Sequence, residues 1–214
     1  MSDHIEIEQK FDVDEDFERP DFGSLPGDVT AAPPVTYHLA ATYFDTADER
    51  LAASKITLRR RTGGTDEGWH LKLPAGQGAR RELQEPLSGA AGAHQVPERL
   101  AGLVAGVTGG LPLAPIAVLD TERTVVTLTG DDGRVVAEIA DDLVTARRLA
   151  GAQGTAAGAS GAGGAAAGPL RWREIEVEVP VAAPDLQQAA ADVLRAAGAR
   201  PAGHGSKLAR VLSS

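Results

Sequence analysis

Polar and apolar residues alternate one for one along the opening stretch His4-Ile5-Glu6-Ile7-Glu8-Gln9-Lys10-Phe11. A period of two is that of a β-strand, whose successive side chains point to opposite faces. Glu6, Glu8 and Lys10 therefore share one face, and Ile5, Ile7 and Phe11 the other. Runs of the same design follow. Tyr37 to Phe44 ends in Thr-Tyr-Phe-Asp-Thr, with a short polar turn or helix after it through Leu51. Lys55 to Thr62 aligns Arg59 and Arg61 with Thr57, and Arg60 with Ile56 and Leu58. Trp69 to Pro74 puts His70 beside Lys72, and Arg80 to Leu87 puts Arg80, Glu82 and Gln84 on one face. Ile116 to Thr129 centres on Glu122-Arg123-Thr124, and Val135 to Ala146 carries Glu138 and Asp142 on one face. Leu170 to Val181 sets the row Glu174, Glu176, Glu178 against Ile175, Val177 and Val179.

Glycine-rich turns at 63–68 and 130–133 join these runs, which predicts an antiparallel meander. Helices are predicted over Val96 to Val107, with Pro97 near its start, over Asp185 to Ala197, and from Ser206 onward. The acidic, proline-bearing segment Asp12 to Pro34 reads as a solvated loop with at most a short helix. Residues 149–169 are almost wholly Ala, Gly, Gln, Ser and Thr, the composition of a flexible loop inserted in one domain spanning 1–214. The class is α+β, mostly antiparallel β, with a few flanking helices.

Composition narrows the chemistry. The 214 residues are 43% hydrophobic but only 4% aromatic, so the core is mostly aliphatic. A net charge of -9 does not advertise nucleic acid or an anionic membrane as a partner. Without cysteine there is no disulfide, thiolate ligand or cysteine nucleophile. No stretch resembles a signal peptide or a membrane span, and a cytoplasmic location is the expectation.

The charged faces collect Lys10, Arg59, Arg61, Lys72, Arg80, Arg123 and Lys207 as cations. The anions are Glu6, Glu8, Glu82, Glu138, Asp142 and the Glu174/Glu176/Glu178 row. Any one strand of this kind is what an antiparallel sheet with one wet face would show. The set differs from that picture, because it concentrates arginine on some strands and glutamate on others. Rows of glutamate repel unless a cation offsets them. A closed or nearly closed barrel with a charged interior accounts for both. Clustered guanidinium and ammonium groups recognise phosphate, while a carboxylate patch suits a hard divalent ion. Of the residues outside these rows, His70 is expected at the surface, and Trp69 and Trp172 are expected to pack.

Glu6-Ile7-Glu8-Gln9-Lys10 resembles the ExExK signature of the CYTH family, the triphosphate tunnel metalloenzymes. Thr-Tyr-Phe-Asp-Thr, Leu-Arg-Arg-Arg, Trp-His-Leu-Lys, Arg-Arg-Glu-Leu, Glu-Arg-Thr, Glu-Ile-Glu-Val-Glu and Ser-Lys follow in order over nearly the whole chain. The resemblance implies an eight-stranded antiparallel β-barrel tunnel with the site inside it. It implies Mg²⁺ or Mn²⁺ held by Glu6, Glu8 and two of Glu174, Glu176 and Glu178, without choosing which two. It assigns the triphosphate to Lys10, Arg59, Arg61, Lys72, Arg123 and Lys207, with Arg80 a further candidate. Glu82, Glu138 and Asp142 become acidic tunnel residues, and Lys10 with Tyr43 resembles a pair that assists water activation. Whether Lys10 or a water activated by metal is the base stays open. The expected activity is a metal-dependent triphosphatase acting on inorganic triphosphate or a small organic triphosphate, by a monomer or homodimer. A class IV adenylate cyclase and a non-catalytic polyphosphate- or nucleotide-binding module are the alternatives.

Overall fold

The computed structural model describes residues 2–23, 25–26, 29–76, 79–87, 95–149, 168–180 and 184–214. Most of the Ala/Gly-rich segment, residues 150–167, lies outside them. The strands are β1 (Ser2–Val13), β2 (Thr30–Ala31), β3 (Val35–Asp45), β4 (Thr57–Thr62), β5 (Gly68–Pro74) and β6 (Ala79–Glu85). They continue as β7 (Ala114–Thr129), β8 (Val135–Arg148), β9 (Leu170–Pro180) and β10 (Arg200–Pro201). The helices are α1 (Arg50–Ala53), α2 (Glu98–Thr108), α3 (Pro184–Ala196) and α4 (Lys207–Leu212).

Eight strands run β1-β6-β5-β4-β3-β7-β8-β9, and β9 pairs back onto β1, so the sheet closes into an antiparallel barrel. Closure removes the unpaired edges that an open sheet would expose. β1 makes it possible by pairing with β6 through Ser2 to Ile7 and with β9 through Glu6 to Val13. The two short strands sit outside the ring, β10 on Phe11 and Asp12, and β2 on Leu128 and Thr129.

The charged stretches of the strands point into this barrel, so two of its apolar clusters lie outside the wall and a third closes one end from within. Phe11, Ile139, Ile175 and Val177 on the outer face are covered by Leu186, Ala190 and Leu194 of α3. On the opposite side, Phe44, Leu58, Trp69 and Leu71 are covered by Leu100 and Val104 of α2. Full burial of each large aliphatic or aromatic side chain contributes about 1.5–3 kcal/mol, which favours holding the wall closed around a polar lumen.

α4 enters one end of the barrel. Its Leu208 and Val211 pack on Tyr43, Ala117, Val144 and Trp172. The Ser206 hydroxyl accepts from the Ala209 amide at 3.1 Å, an N-cap that fixes where the helix begins. At the opposite end the β4–β5 turn depends on Gly63, at φ 80°. A Cβ there would collide with the His38 carbonyl.

The elements match the sequence expectation in kind, with shifts of a residue or two at most ends. β2 and β10 were not expected. They are two residues each, too short for an alternation to register. Both tryptophans pack: Trp69 lies 5.0 Å from Phe44 between ring centroids, and Trp172 is buried under α4.

Candidate functional site

Strand register decides which charged side chains meet. Glu8 on β1 stands directly opposite Glu178 on β9, and Glu178 stands opposite Glu138 on β8. Lys10 faces Glu176 one step further along. On the other side of the ring, Tyr43 faces Arg59, Arg59 faces His70, and Lys72 faces Glu82. The lumen between these walls is a cavity of about 260 Å³.

The acidic wall is poorly compensated. Glu138 and Glu178 form no ion pair among the described residues, although Glu8, Glu138 and Glu178 are cross-strand neighbours. Burial raises the Glu178 carboxyl above its ordinary value; Lys72 opposes this, and Glu176, Glu8 and Glu138 add to it. Glu6 is only 2% exposed and bonded to Lys72. Burial still lifts it to about 7, because the nearby Glu82 and Glu8 offset the ammonium. Glu8 is better served, with Lys10 Nζ at 3.0 Å and an Arg80 nitrogen at 3.8 Å.

The basic wall divides into engaged and free groups. Arg123 is engaged, with a two-pronged bond to Asp142 at 2.7 and 2.6 Å and a third to Glu176 at 2.7 Å. Arg61 pairs with Asp66, and burial beside Arg59 and Arg123 lowers its guanidinium to about 9. Arg80 reaches the carbonyls of Gly205 and Lys55 at 3.4 and 3.2 Å. Arg59 has no carboxylate partner among the described residues. Its one polar contact donates to the Tyr43 hydroxyl at 3.3 Å, and its buried Nε has none. Burial works against the Tyr43 phenolate, but Arg59, Lys207 and Lys72 outweigh it and lower the phenol below its ordinary value.

The closed end of the tunnel is a cage. Lys207 Nζ lies 2.7 Å from Asp142, 2.8 Å from Glu174 and 2.7 Å from Glu176, pairing with all three carboxylates and donating a hydrogen bond to Glu176. Glu176 also takes Lys10, whose ammonium thereby bridges it to Glu8. Glu174 additionally accepts from the Trp172 indole at 2.5 Å.

Fourteen of the expected site residues therefore line one cavity: Glu6, Glu8, Lys10, Tyr43, Arg59, Arg61, Lys72, Arg80, Glu82, Arg123, Glu138, Glu176, Glu178 and Lys207. Glu174 and Asp142 do not line it; they sit beneath Lys207. This separates the three glutamates of β9 by depth. Glu178 is at the open end, Glu176 in the middle, and Glu174 in the cage.

His70 corrects the expectation that it is a surface residue. It is 2% exposed, with Nδ1 2.5 Å from Glu82 Oε1 and Nε2 2.9 Å from the Asp66 carbonyl. The shared face with Lys72 was the signal, and barrel closure is what buries it. His4, Asp66, Gln84 and Ser206 also line the lumen and were not singled out. His4 and Gln84 stand on the polar faces of their strands, so the alternation contained them. Asp66 arrives from a turn, where no alternation applies.

Among the described residues, two groups of potential metal ligands converge within 4.8 Å: His4, Glu6 and Glu178, and Asp142, Glu174 and Glu176. The second already surrounds the Lys207 ammonium. The first has donor capacity to spare, since Glu178 forms no ion pair among the described residues, and Glu8 stands directly opposite it. A carboxylate-rich donor set of this kind fits a hard divalent ion.

Comparison with known proteins identifies the family and the fold. A family profile described as CYTH domain matches residues 4–211. Two uncharacterized proteins of Mycobacterium tuberculosis, from strains CDC 1551 / Oshkosh and H37Rv, are each 44% identical over 99% of this chain. The chain spans 40% of the length of these curated relatives. Among solved structures, a candidate adenylate cyclase from Bacillus halodurans superposes with a TM-score of 0.64 at 18% identity, covering 98% of both chains. A candidate adenylyl cyclase from Hippeastrum, described as having a dominant triphosphatase activity, gives 0.53 at 16% identity, covering 98% of this chain and 95% of its own. At these identities the structural likeness is one of fold.

Proposed function

Since the chain belongs to the CYTH family, we propose that it is a divalent-metal-dependent triphosphatase acting on inorganic triphosphate or a small organic triphosphate. One observation carries this reading. Among the described residues, the same lumen keeps a guanidinium, Arg59, and two carboxylates, Glu138 and Glu178, without ion-pair partners, while its other charges are largely matched. Unmatched charge of both signs in a buried cavity calls for a ligand that brings both signs, which a metal–polyphosphate complex does.

The size of the lumen agrees. Pockets that enclose drug-sized ligands run to roughly 300–1,000 Å³. A cavity of about 260 Å³ suits a compact triphosphate better than a whole nucleotide.

In this reading Arg59, Lys72 and Arg123 hold the phosphate oxygens, with Arg59 free to make new bonds and Arg123 fixed in place by Asp142. A divalent ion held by Glu6, Glu8 and Glu178 would neutralise charge developing on the phosphoryl oxygens and help to activate water. Water attacks the terminal phosphorus in line; the bridging P–O bond breaks, and phosphate and diphosphate leave. Lys10, donating to Glu8 and Glu176, is fixed beside the acidic wall and orients the terminal phosphate. Tyr43, its phenol lowered and bonded to Arg59, stands on the basic wall as a proton-transfer candidate.

A recess of about 600 Å³ supports a second reading. It is lined by Ile56, Pro74, Ala79 and Leu208, and it shares Thr57, Arg80 and Ser206 with the lumen. An organic group there, with its triphosphate in the tunnel, would admit ATP as a substrate for hydrolysis or for cyclisation.

The test incubates the purified chain with inorganic triphosphate, ATP or thiamine triphosphate, with Mg²⁺ or Mn²⁺, and identifies every product. Phosphate from inorganic triphosphate, lost on Glu8→Gln, supports the triphosphatase. Cyclic AMP with diphosphate would promote the second reading. Tight binding of all three without turnover would leave a binding module and end the enzymatic claim.

A further inference from the structure

We propose that His4 is a nitrogen ligand of the tunnel's cation site, together with Glu6 and Glu178, and that this makes the site prefer a first-row transition ion such as Mn²⁺ to Mg²⁺. The inference rests on the metal-dependent reading above and specifies the ion it concerns.

His4 stands two residues before Glu6 on the same face of β1, opposite Glu82 of β6. One donor atom from each of His4, Glu6 and Glu178 comes within 4.8 Å of the others. A single ion can therefore touch all three after small side-chain rotations. The carboxylate in ion-pair range of His4 is Glu82, with 3.6 Å between Nε2 and Oε2, beyond hydrogen-bond distance, so this contact leaves the ring free to turn. Its side chain is 47% exposed, so an ion arriving from the open end meets it first.

The neighbouring charges point the same way. Glu178 has no ion-pair partner among the described residues, and Glu6 offers an ion the carboxylate that Lys72 only partly neutralises. The competing carboxylate group, Asp142 with Glu174 and Glu176, is already closed around Lys207. Of the two convergent groups, only the one at the open end can take a further cation without expelling a lysine.

Ligand chemistry then sets the choice of ion. Mg²⁺ favours an all-oxygen, octahedral shell and keeps several of its waters. Imidazole nitrogen suits first-row transition ions, and Mn²⁺ accepts both nitrogen and carboxylate oxygen. With Glu8 as a fourth protein ligand, an octahedral ion still keeps coordination positions for phosphate oxygen and water.

The test uses the full chain without an affinity tag. Metal-free protein is titrated with Mn²⁺ and followed by electron paramagnetic resonance, with pulsed measurements that detect ¹⁴N coupled to the bound ion. Imidazole coupling is expected in the native protein and is expected to vanish in His4→Gln. That variant should bind Mn²⁺ at least about tenfold more weakly, the lower end of what a perturbed ligand shell costs, while its Mg²⁺ affinity stays unchanged. Because the nitrogen signal is read on the native protein, the outcome does not depend on how well the variant folds. Absence of nitrogen coupling overturns the proposal, whether Mn²⁺ is held by carboxylates alone or does not bind. Phosphate release without nitrogen coupling would remove His4 and keep the triphosphatase. Nitrogen coupling without turnover would keep His4 and remove the triphosphatase.

Discussion

Lys207 Nζ lies 2.7 Å from Asp142 Oδ2, joining the first residue of α4 to β8 at the closed end of the barrel. Asp142 is fully buried, and Glu174 and Glu176 complete the cage around the same ammonium. Removing one partner from a buried ion pair leaves uncompensated charge and costs about 3–5 kcal/mol. Lys207→Met should therefore lower stability in urea by an amount in that range, and adding Glu174→Gln should restore part of it, because Asp142 keeps Arg123 while Glu176 keeps Arg123 and Lys10. A loss below about 1 kcal/mol, the scale of exposed pairs, would mean that the cage contributes no more than a surface contact.

Glu174 and Glu178 lie on one face of β9, yet opposite consequences are expected for their amides. Glu178→Gln removes a carboxylate that has no cation and faces two others. It should weaken metal binding at least about tenfold and leave the metal-free protein as stable as before or more so. Glu174→Gln strips a partner from Lys207 and should cost stability while leaving metal affinity nearly untouched. Calorimetric metal titration beside thermal unfolding reads both effects, and matching behaviour of the two variants would contradict the division by depth.

Arg59 and Arg123 separate in the same manner. Removing one preorganised charged donor to a transition state typically costs 10²–10³ in kcat, about 3–4 kcal/mol. Arg59→Met should show that loss with little change in Tm, since no carboxylate is orphaned. Arg123→Met should lose activity and also lower Tm, because Asp142 and Glu176 lose their shared guanidinium. Steady-state kinetics with matched melting curves distinguish them.

Glu6 gives the site a pH dependence. Its carboxyl is raised from 4.5 to about 7, chiefly by burial. A metal must displace that proton, so apparent affinity should rise with pH up to about 7 and level off above it. For the metal-free fold the sign is the reverse of an ordinary paired carboxylate. Between 4.5 and about 7 the native state holds a proton that the unfolded chain has released, so stability falls as pH rises through that window. Glu6→Gln should flatten both profiles. An affinity independent of pH in the native protein would show that Glu6 is already ionised.

Much of the site was legible because a strand has a period of two. Alternation alone placed Glu6, Glu8 and Lys10 on one face, aligned Arg59 with Arg61, and aligned Glu174 with Glu178. It also kept His4, His70 and Gln84 on lumen faces, although only the closed barrel makes a polar face buried. For His70 that changes a surface residue into one whose two nitrogens both meet oxygen acceptors. Asp66 comes from a turn and carries no such signal.

Local sequence thus determined the strands, their facing and the sign of charge each contributes, since these follow from backbone geometry and residue type within a few positions. Depth along the tunnel and the partner across it were decided only by tertiary structure. Register between β1, β8 and β9 puts Glu178 beside Glu8 and Glu138 but leaves Glu174 under Lys207, which reaches it from a helix 33 residues downstream. Which charges are neutralised and which remain for a ligand is a property of those long-range pairings. Electrostatic energy depends on distance and burial, and neither is defined until the barrel has closed.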